Sequence, residues 1–348
     1  MTTATCFRPL PTTPLPASGP LRTPRLPPSR PLPTVRLPAS RLLPTTPATL
    51  LLAVSFFPAT ALAHSAEAGE SSPWRNEIAM LAPLAISGVW YAIGFLRLQP
   101  RVSAPHTPLW RNSALFALGW LTLVATLLSP LHELGEISFT AHMSEHELLM
   151  LVAAPLMALS RPLSVFLWAC PHSLRRWLIQ GCNSPYVSRV WRLITDPATA
   201  TLLQICALWL WHMPSLFETA LHNELWHAFQ HLSFLGSALL FWWSLTRSTH
   251  RRHRRAIAAV CLFITSLATG ALGALMAISS SPWYAGYAEM GLRGLMPGGL
   301  TAAEDQQLAG LIMWIPGGLV HFIAALIFAY SALKRRQATQ HTAQASRA

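Results

Sequence analysis

Charge is what this sequence has least of. Only 11% of its 348 residues are charged, against about a quarter in an ordinary soluble domain. Hydrophobic residues make up 52%, and the mean hydropathy is +0.37. That balance excludes a water-soluble globular domain. Acids are scarcer than bases: 13 Asp and Glu stand against 25 Lys and Arg, for a formal charge of +12, and Lys334 is the only lysine. In so apolar a chain, basic residues mark the cytoplasmic edge of a membrane rather than a nucleic-acid partner. Cysteine is sparse too. Cys6, Cys170, Cys182, Cys206 and Cys261 form no C-x-x-C, which argues against a disulfide framework and against thiolate metal ligands.

Residues 1–47 lack any acid and hold six arginines and about a dozen prolines. Such a composition does not bury a core of its own. The apolar run 49–63 ends in Ala61-Leu62-Ala63, an A-x-A cleavage pattern, and cleavage there would make His64 the new N-terminus. The 63 residues exceed the roughly 15–30 of an ordinary signal peptide. Initiation at Val35 would restore a normal length, with Arg36 and Arg41 as the basic n-region. An Arg-rich, acid-free organellar transit peptide is the alternative.

Seven apolar runs follow, each near the roughly 20 residues a helix needs to cross hydrocarbon. They span about 78–97, 112–130, 142–160, 198–215, 226–246, 256–279 and 308–333. The expected fold is all-α: a polytopic membrane protein with a seven-helix transmembrane bundle. Its domain plan is a Pro/Arg-rich extension with a signal peptide (1–63), a short exterior segment (64–77), the membrane domain (78–333) and a basic cytoplasmic tail (334–348). Charge alternates between connections. Arg97, Arg101 and Arg111 follow the first run, Arg161, Arg175, Arg176, Arg189 and Arg192 the third, and Arg247, Arg251, Arg252, Arg254 and Arg255 the fifth. The intervening connections carry Glu133 and Glu136, Glu218 and Glu224, then Glu289, Glu304 and Asp305. The positive-inside rule puts the N-terminus outside and the C-terminus in the cytoplasm of a bacterial plasma membrane.

Within the membrane domain, Pro155 is expected to kink the third run. Gly270 and Ala274 make a small-xxx-small pair suited to close packing. Trp110, Trp211, Trp226, Trp242, Trp243 and Trp283 read as aromatic-belt anchors.

Histidine carries the chemistry. His142 and His146 open the third run, His227 and His231 open the fifth, and His212 ends the fourth. Residues four apart on a helix point the same way, so each pair can reach one ion. The topology puts all five at the outer boundary. Interfacial histidines can also bond headgroups or loops, but two pairs plus a fifth at one level favour a metal site, because intramembrane ionisable groups are costly. Met143, Met150, Met213 and Met313 lie near these positions, and thioether with imidazole suits copper better than zinc. His321 sits deep in the seventh run, as a ligand, a relay or a satisfied core residue. Glu304 and Asp305 are either carboxylates that orient a ligand histidine or plain helix N-terminal acids.

His142-Met143-Ser144-Glu145-His146 also fits H-x-x-E-H, an inverted zinc-protease pattern with Glu145 as base and Glu218 or Glu224 as a distant third ligand. That reading leaves His212, His227 and His231 unused. A haem protein with axial histidines from facing helices is another rival.

Three stretches, HMSEHELLMLVAAPLMALSRPL from His142, WHMPSLFETALHNELWHAFQHLSFLGSALLFWW from Trp211 and DQQLAGLIMWIPGGL from Asp305, resemble the CtaG family of cytochrome c oxidase assembly proteins. The likeness runs over roughly residues 78–333. It implies a multi-pass, non-enzymatic factor that serves cytochrome c oxidase subunits, through copper supply. The family's histidine motif falls on His142, His146, His212, His227 and His231. Glu145 stands where a neutral residue such as Gln is expected. Copper is the cofactor inferred from the ligand types, with zinc and haem left open.

Overall fold

The computed structural model describes residues 73–102, 108–247, 252–292, 294 and 297–345. The Pro/Arg-rich extension, the signal-peptide run and most of the short exterior segment lie outside the described residues.

The described chain is helical, with no strand. Helix α1 is Pro73–Leu98 and α2 is Pro108–Leu127. The short α3 (Pro130–Ile137) leads into α4 (Phe139–Leu148), a π turn at Leu149–Ala153 and α5 (Ala154–Ser160). Three short helices follow: α6 (Leu163–Ala169), α7 (His172–Cys182) and α8 (Pro185–Ile194). Then come α9 (Pro197–Trp211), α10 (Pro214–His222) and α11 (Glu224–Arg247). The chain closes with α12 (Arg252–Ile278), α13 (Ala285–Leu292), α14 (Ala302–Ile312), a second π turn at Met313–Gly317 and α15 (Gly318–Ala345).

Proline sets many of these starts. At α3, α8 and α9 a Ser or Asp side chain caps the first turn and Pro occupies it, where no N–H is needed. The two π turns have the same cause. Pro155 and Pro316 cannot donate to the preceding turn, and one wider turn absorbs the missing bond. The expected kink at Pro155 therefore resolves as a π turn. The sharp bend, 65°, comes later, between Phe139–Ser160 and Leu163–Ala169, where Arg161 takes a left-handed backbone with φ 53°.

All seven apolar runs fall on helices, but they are not equal. Among the described residues, His253–Ile278 and Ala302–Lys334 are long and apolar enough to cross a membrane, and three bent pairs would raise the count to five. The chain is thus a membrane protein. The fifth run stays below that measure because polar residues, Glu224, His227, Gln230 and His231, sit in the first half of α11.

Helix α12 packs against both α14 and α15. The closest approach is at Gly273 and Gly310, where a Cβ on either would come within 2.7 Å of the other's carbonyl oxygen. Small residues permit such backbone contact. The expected pair was Gly270 and Ala274; Gly270 lies instead against Trp314, at 3.3 Å from its would-be Cβ. The tryptophans also divide. Trp110 and Trp226 are exposed, as a belt requires, whereas Trp211, Trp242 and Trp243 are buried in the bundle. These three pack the core rather than anchor an interface: Trp242 bonds the Met150 carbonyl and stacks on His321, and Trp211 and Trp243 belong to the same apolar cluster.

Candidate functional site

The site begins with α4, an unusual helix. His142, Met143, Glu145, His146 and Glu147 are all buried, so almost every face of it meets protein. One hydroxyl and one carboxylate hold its N-terminus. Ser138 Oγ accepts the Ala141 N–H at 3.3 Å, and Asp305 of α14 accepts the Phe139 N–H at 2.6 Å and the Ser138 hydroxyl at 2.9 Å. Negative charge is favourable there. The neighbouring acid behaves differently. Glu304 is exposed and closes a capping box with Thr301 at the start of its own helix. The two acids that the sequence leaves equivalent thus separate: Glu304 is a plain N-terminal acid, and Asp305 positions the helix that carries His142 and His146.

On α11 the Asn223 side chain accepts the N–H groups of Leu225 and Trp226 at 3.0 and 3.2 Å. This start faces His227 and His231 towards α4. The Nε2 atoms of His227 and His231 are 3.0 Å apart, and those of His231 and His146 are 3.3 Å apart. The His142 ring stacks on His227 with centroids 5.4 Å apart, and meets His146 edge-on at 4.4 Å. Four of the five histidines singled out in the sequence therefore touch one another across two helices.

The fifth stands behind them. His212 donates its Nδ1–H to the Leu208 carbonyl at 2.6 Å, which leaves the Nε2 lone pair 3.3 Å from Met143 Sδ. Phe234 packs against both His146 and His212. Met213 is exposed, and His222 is largely exposed beside Glu218; neither belongs to the cluster.

Two residues join that the sequence argument did not select as ligands. His132 on α3 stacks on His227 at 5.8 Å, with planes only 6° apart. Glu145, 1% exposed, takes the Nδ1–H of His132 at 3.0 Å through Oε1, and the same oxygen lies 3.7 Å from His231 Nδ1. A carboxylate behind Nδ1 aims the lone pair of Nε2 away from itself, which is how ligand imidazoles are oriented. Helix propensity alone could not reveal this, since His132 arrives through a separate short helix pinned by the Tyr287 hydroxyl on the Gly135 carbonyl.

Two ring nitrogens, His142 Nε2 and His146 Nδ1, are buried with no hydrogen-bond partner; Gln230 lies close to His142 but outside bonding geometry. Orphaned buried polar atoms cost free energy and ask for a ligand. Nitrogens bound about 2 Å from one ion in a tetrahedron sit roughly 3.3 Å apart, close to the spacings seen here. Among the described residues, however, no three His, Cys, Asp or Glu side chains are already gathered around a common point as metal ligands. The donors adjoin one another without converging.

An uncharacterised protein of Mycobacterium bovis is 26% identical over 287 residues, 77% of this chain and 40% of its own length. An uncharacterised protein of Mycobacterium tuberculosis gives the same figures. One from Mycobacterium leprae is 26% identical over 186 residues, 49% of this chain and 26% of its own length. The chain thus spans well under half the length of these relatives. No solved structure matches it. The model of the cytochrome c oxidase caa3 assembly factor family (Caa3_CtaG) matches residues 89–335, the helices that build the histidine cluster included, and the chain belongs to that family.

Proposed function

We propose that this protein is a seven-span plasma-membrane factor that binds copper at its outer face and supports metal-centre maturation of cytochrome c oxidase. The observation that carries this reading is the run of Nε2 atoms from His227 to His231 to His146, at 3.0 and 3.3 Å, across two helices distant in sequence. Small side-chain rotations would turn these nitrogens, with His142, onto one ion. His132 and Glu145 would orient them, and Met143 with His212 would supply a thioether and imidazole alongside. Imidazole with thioether matches Cu(I). The alternating loop arginines support an exterior N-terminus, a cytoplasmic C-terminus and a site near the outer surface. The partners are oxidase subunits in the same bilayer, and no turnover is required of the protein.

The protease alternative is disfavoured by two contacts. Glu145 is buried, with its Oε1 taken by His132 and close to His231. Glu218 is engaged with the Gly286 N–H and His222. The haem alternative meets His146 packed edge to face on His142 and His231 at 4.4 and 4.9 Å, and His142 stacked on His227 at 5.4 Å, with no slot for a macrocycle between these rings.

The test is elemental analysis and Cu(I) titration of detergent-purified protein, without a polyhistidine tag, against His227→Ala/His231→Ala. The wild type should hold copper and the double variant should hold less. Equal metal in both would end the copper reading, and a Soret band in the wild type would replace it with haem.

A further inference from the structure

Directly after the histidine layer, one buried ionisable group has no assigned use. Glu147 is 6% exposed and its Oε2 has no hydrogen-bond partner. The carboxylate lies against Gly317 in the second π turn; a Cβ there would stand 2.8 Å from Oε2, so the missing side chain makes its room. His321, one turn further along, is also buried and donates its Nδ1–H to the Gly317 carbonyl at 2.8 Å. That bond leaves the lone pair on Nε2. Met150 lies one turn beyond Glu147. Trp242 links it to His321, donating its indole N–H to the Met150 carbonyl at 3.1 Å while its ring stacks on His321 with centroids 5.8 Å apart. Gln204 completes the group: its Nε2 is 3.3 Å from Met150 Sδ, and its Oε1 is buried without a partner.

We propose that this group forms a second, inner Cu(I) position, with Glu147, His321 and Met150 as donors. The proposal rests on the copper reading of the outer histidines. Charge selects the ion. An isolated carboxylate is costly in a bundle interior, and a monocation cancels it, whereas a dication leaves a net charge in the same medium. The thioether then selects Cu(I) among monocations. Two positions at different depths give the ion a step between the outer histidines and the bundle interior.

The experiment is anaerobic Cu(I) titration of the full chain in detergent, in competition with a chromophoric chelator. The wild type should take up one outer and one inner ion. Glu147→Gln should lose one and keep the other, while His227→Ala/His231→Ala should lose the outer one. Met150→Leu, which conserves volume, should weaken the inner ion about tenfold, and it serves if Glu147→Gln does not fold. Unchanged stoichiometry and affinity in both Glu147→Gln and Met150→Leu would overturn the inner position while leaving the outer one standing. A wild type that takes up a single ion, lost in the histidine double variant, would overturn it likewise. A wild type that binds no Cu(I) would remove both.

Discussion

The Oδ2 atom of Asp305 receives the backbone N–H of Phe139 at 2.6 Å, across 166 residues of sequence. Its Oδ1 takes the Ser138 hydroxyl, and its own carbonyl accepts the Thr140 hydroxyl at 2.8 Å. One side chain of α14 therefore fixes where α4 begins, and with it the direction of His142 and His146. Asp305→Ala strips a buried helix start of its acceptor, and an unsatisfied buried donor costs about 1–3 kcal/mol, more beside a charge. The expected outcome is a clear fall in the detergent-solubilised melting temperature, with Asp305→Asn falling less. A melting temperature unchanged in Asp305→Ala would mean that α4 is held by packing alone.

Much of this arrangement is legible in the residues. The i, i+4 spacing of His142/His146 and His227/His231 states which rings share a helix face. What spacing cannot state is contact between helices. His132 lies on a separate short helix whose docking depends on Tyr287 and Gly135, so nothing local marks it as a neighbour of His227. Glu145 reads as an anomaly because its partners, His132 and His231, are distant in sequence. The tryptophans mislead for a related reason: an indole suits a lipid interface and a bundle core equally, and only the packing of Trp242 on His321 decides.

Glu145 yields the next test. One of its oxygens, Oε1, serves both His132 and His231. Glu145→Gln keeps the size and a hydrogen-bonding oxygen but removes the charge behind the two imidazoles. Loss of an orienting partner of this kind commonly weakens metal affinity about 10–100-fold. Cu(I) affinity by chelator competition should therefore fall while the melting temperature without metal changes little. Glu145→Leu should lose affinity further. If the two variants bind as the wild type does, the carboxylate has a structural role only.

The crossing of α12 and α14 predicts a different kind of failure. A Cβ at Gly273 would come 2.7 Å from the Gly310 carbonyl oxygen and 2.8 Å from the Trp314 nitrogen. Both are backbone atoms, so no side chain can swing aside. Gly273→Ala should push the helices apart, at about 1–3 kcal/mol by comparison with overpacked cores. Gly236→Ala, whose Cβ meets nothing within 4 Å, is the matched control and should be neutral or slightly stabilising. Thermal melts of the two variants in one detergent decide the matter.

The connection that brings His132 to the site should fail at high pH. Burial holds the Tyr287 phenol well above its ordinary value, with nearby carboxylates, Asp305 first, pushing the same way. Burial likewise raises Tyr284. An acid whose folded pKa exceeds its unfolded one leaves stability intact below the unfolded value. Stability is then lost as pH rises from there through the folded value, because only the unfolded chain ionises freely. The loss should therefore begin near pH 10, the ordinary value for tyrosine. Tyr287→Phe removes that titration together with the hydrogen bond to the Gly135 carbonyl. It should lower the melting temperature at neutral pH, by the worth of one buried bond, about 1 kcal/mol, yet show a shallower decline between about pH 10 and 11. Parallel decline in the wild type and Tyr287→Phe would place the alkaline transition elsewhere, as at Tyr284.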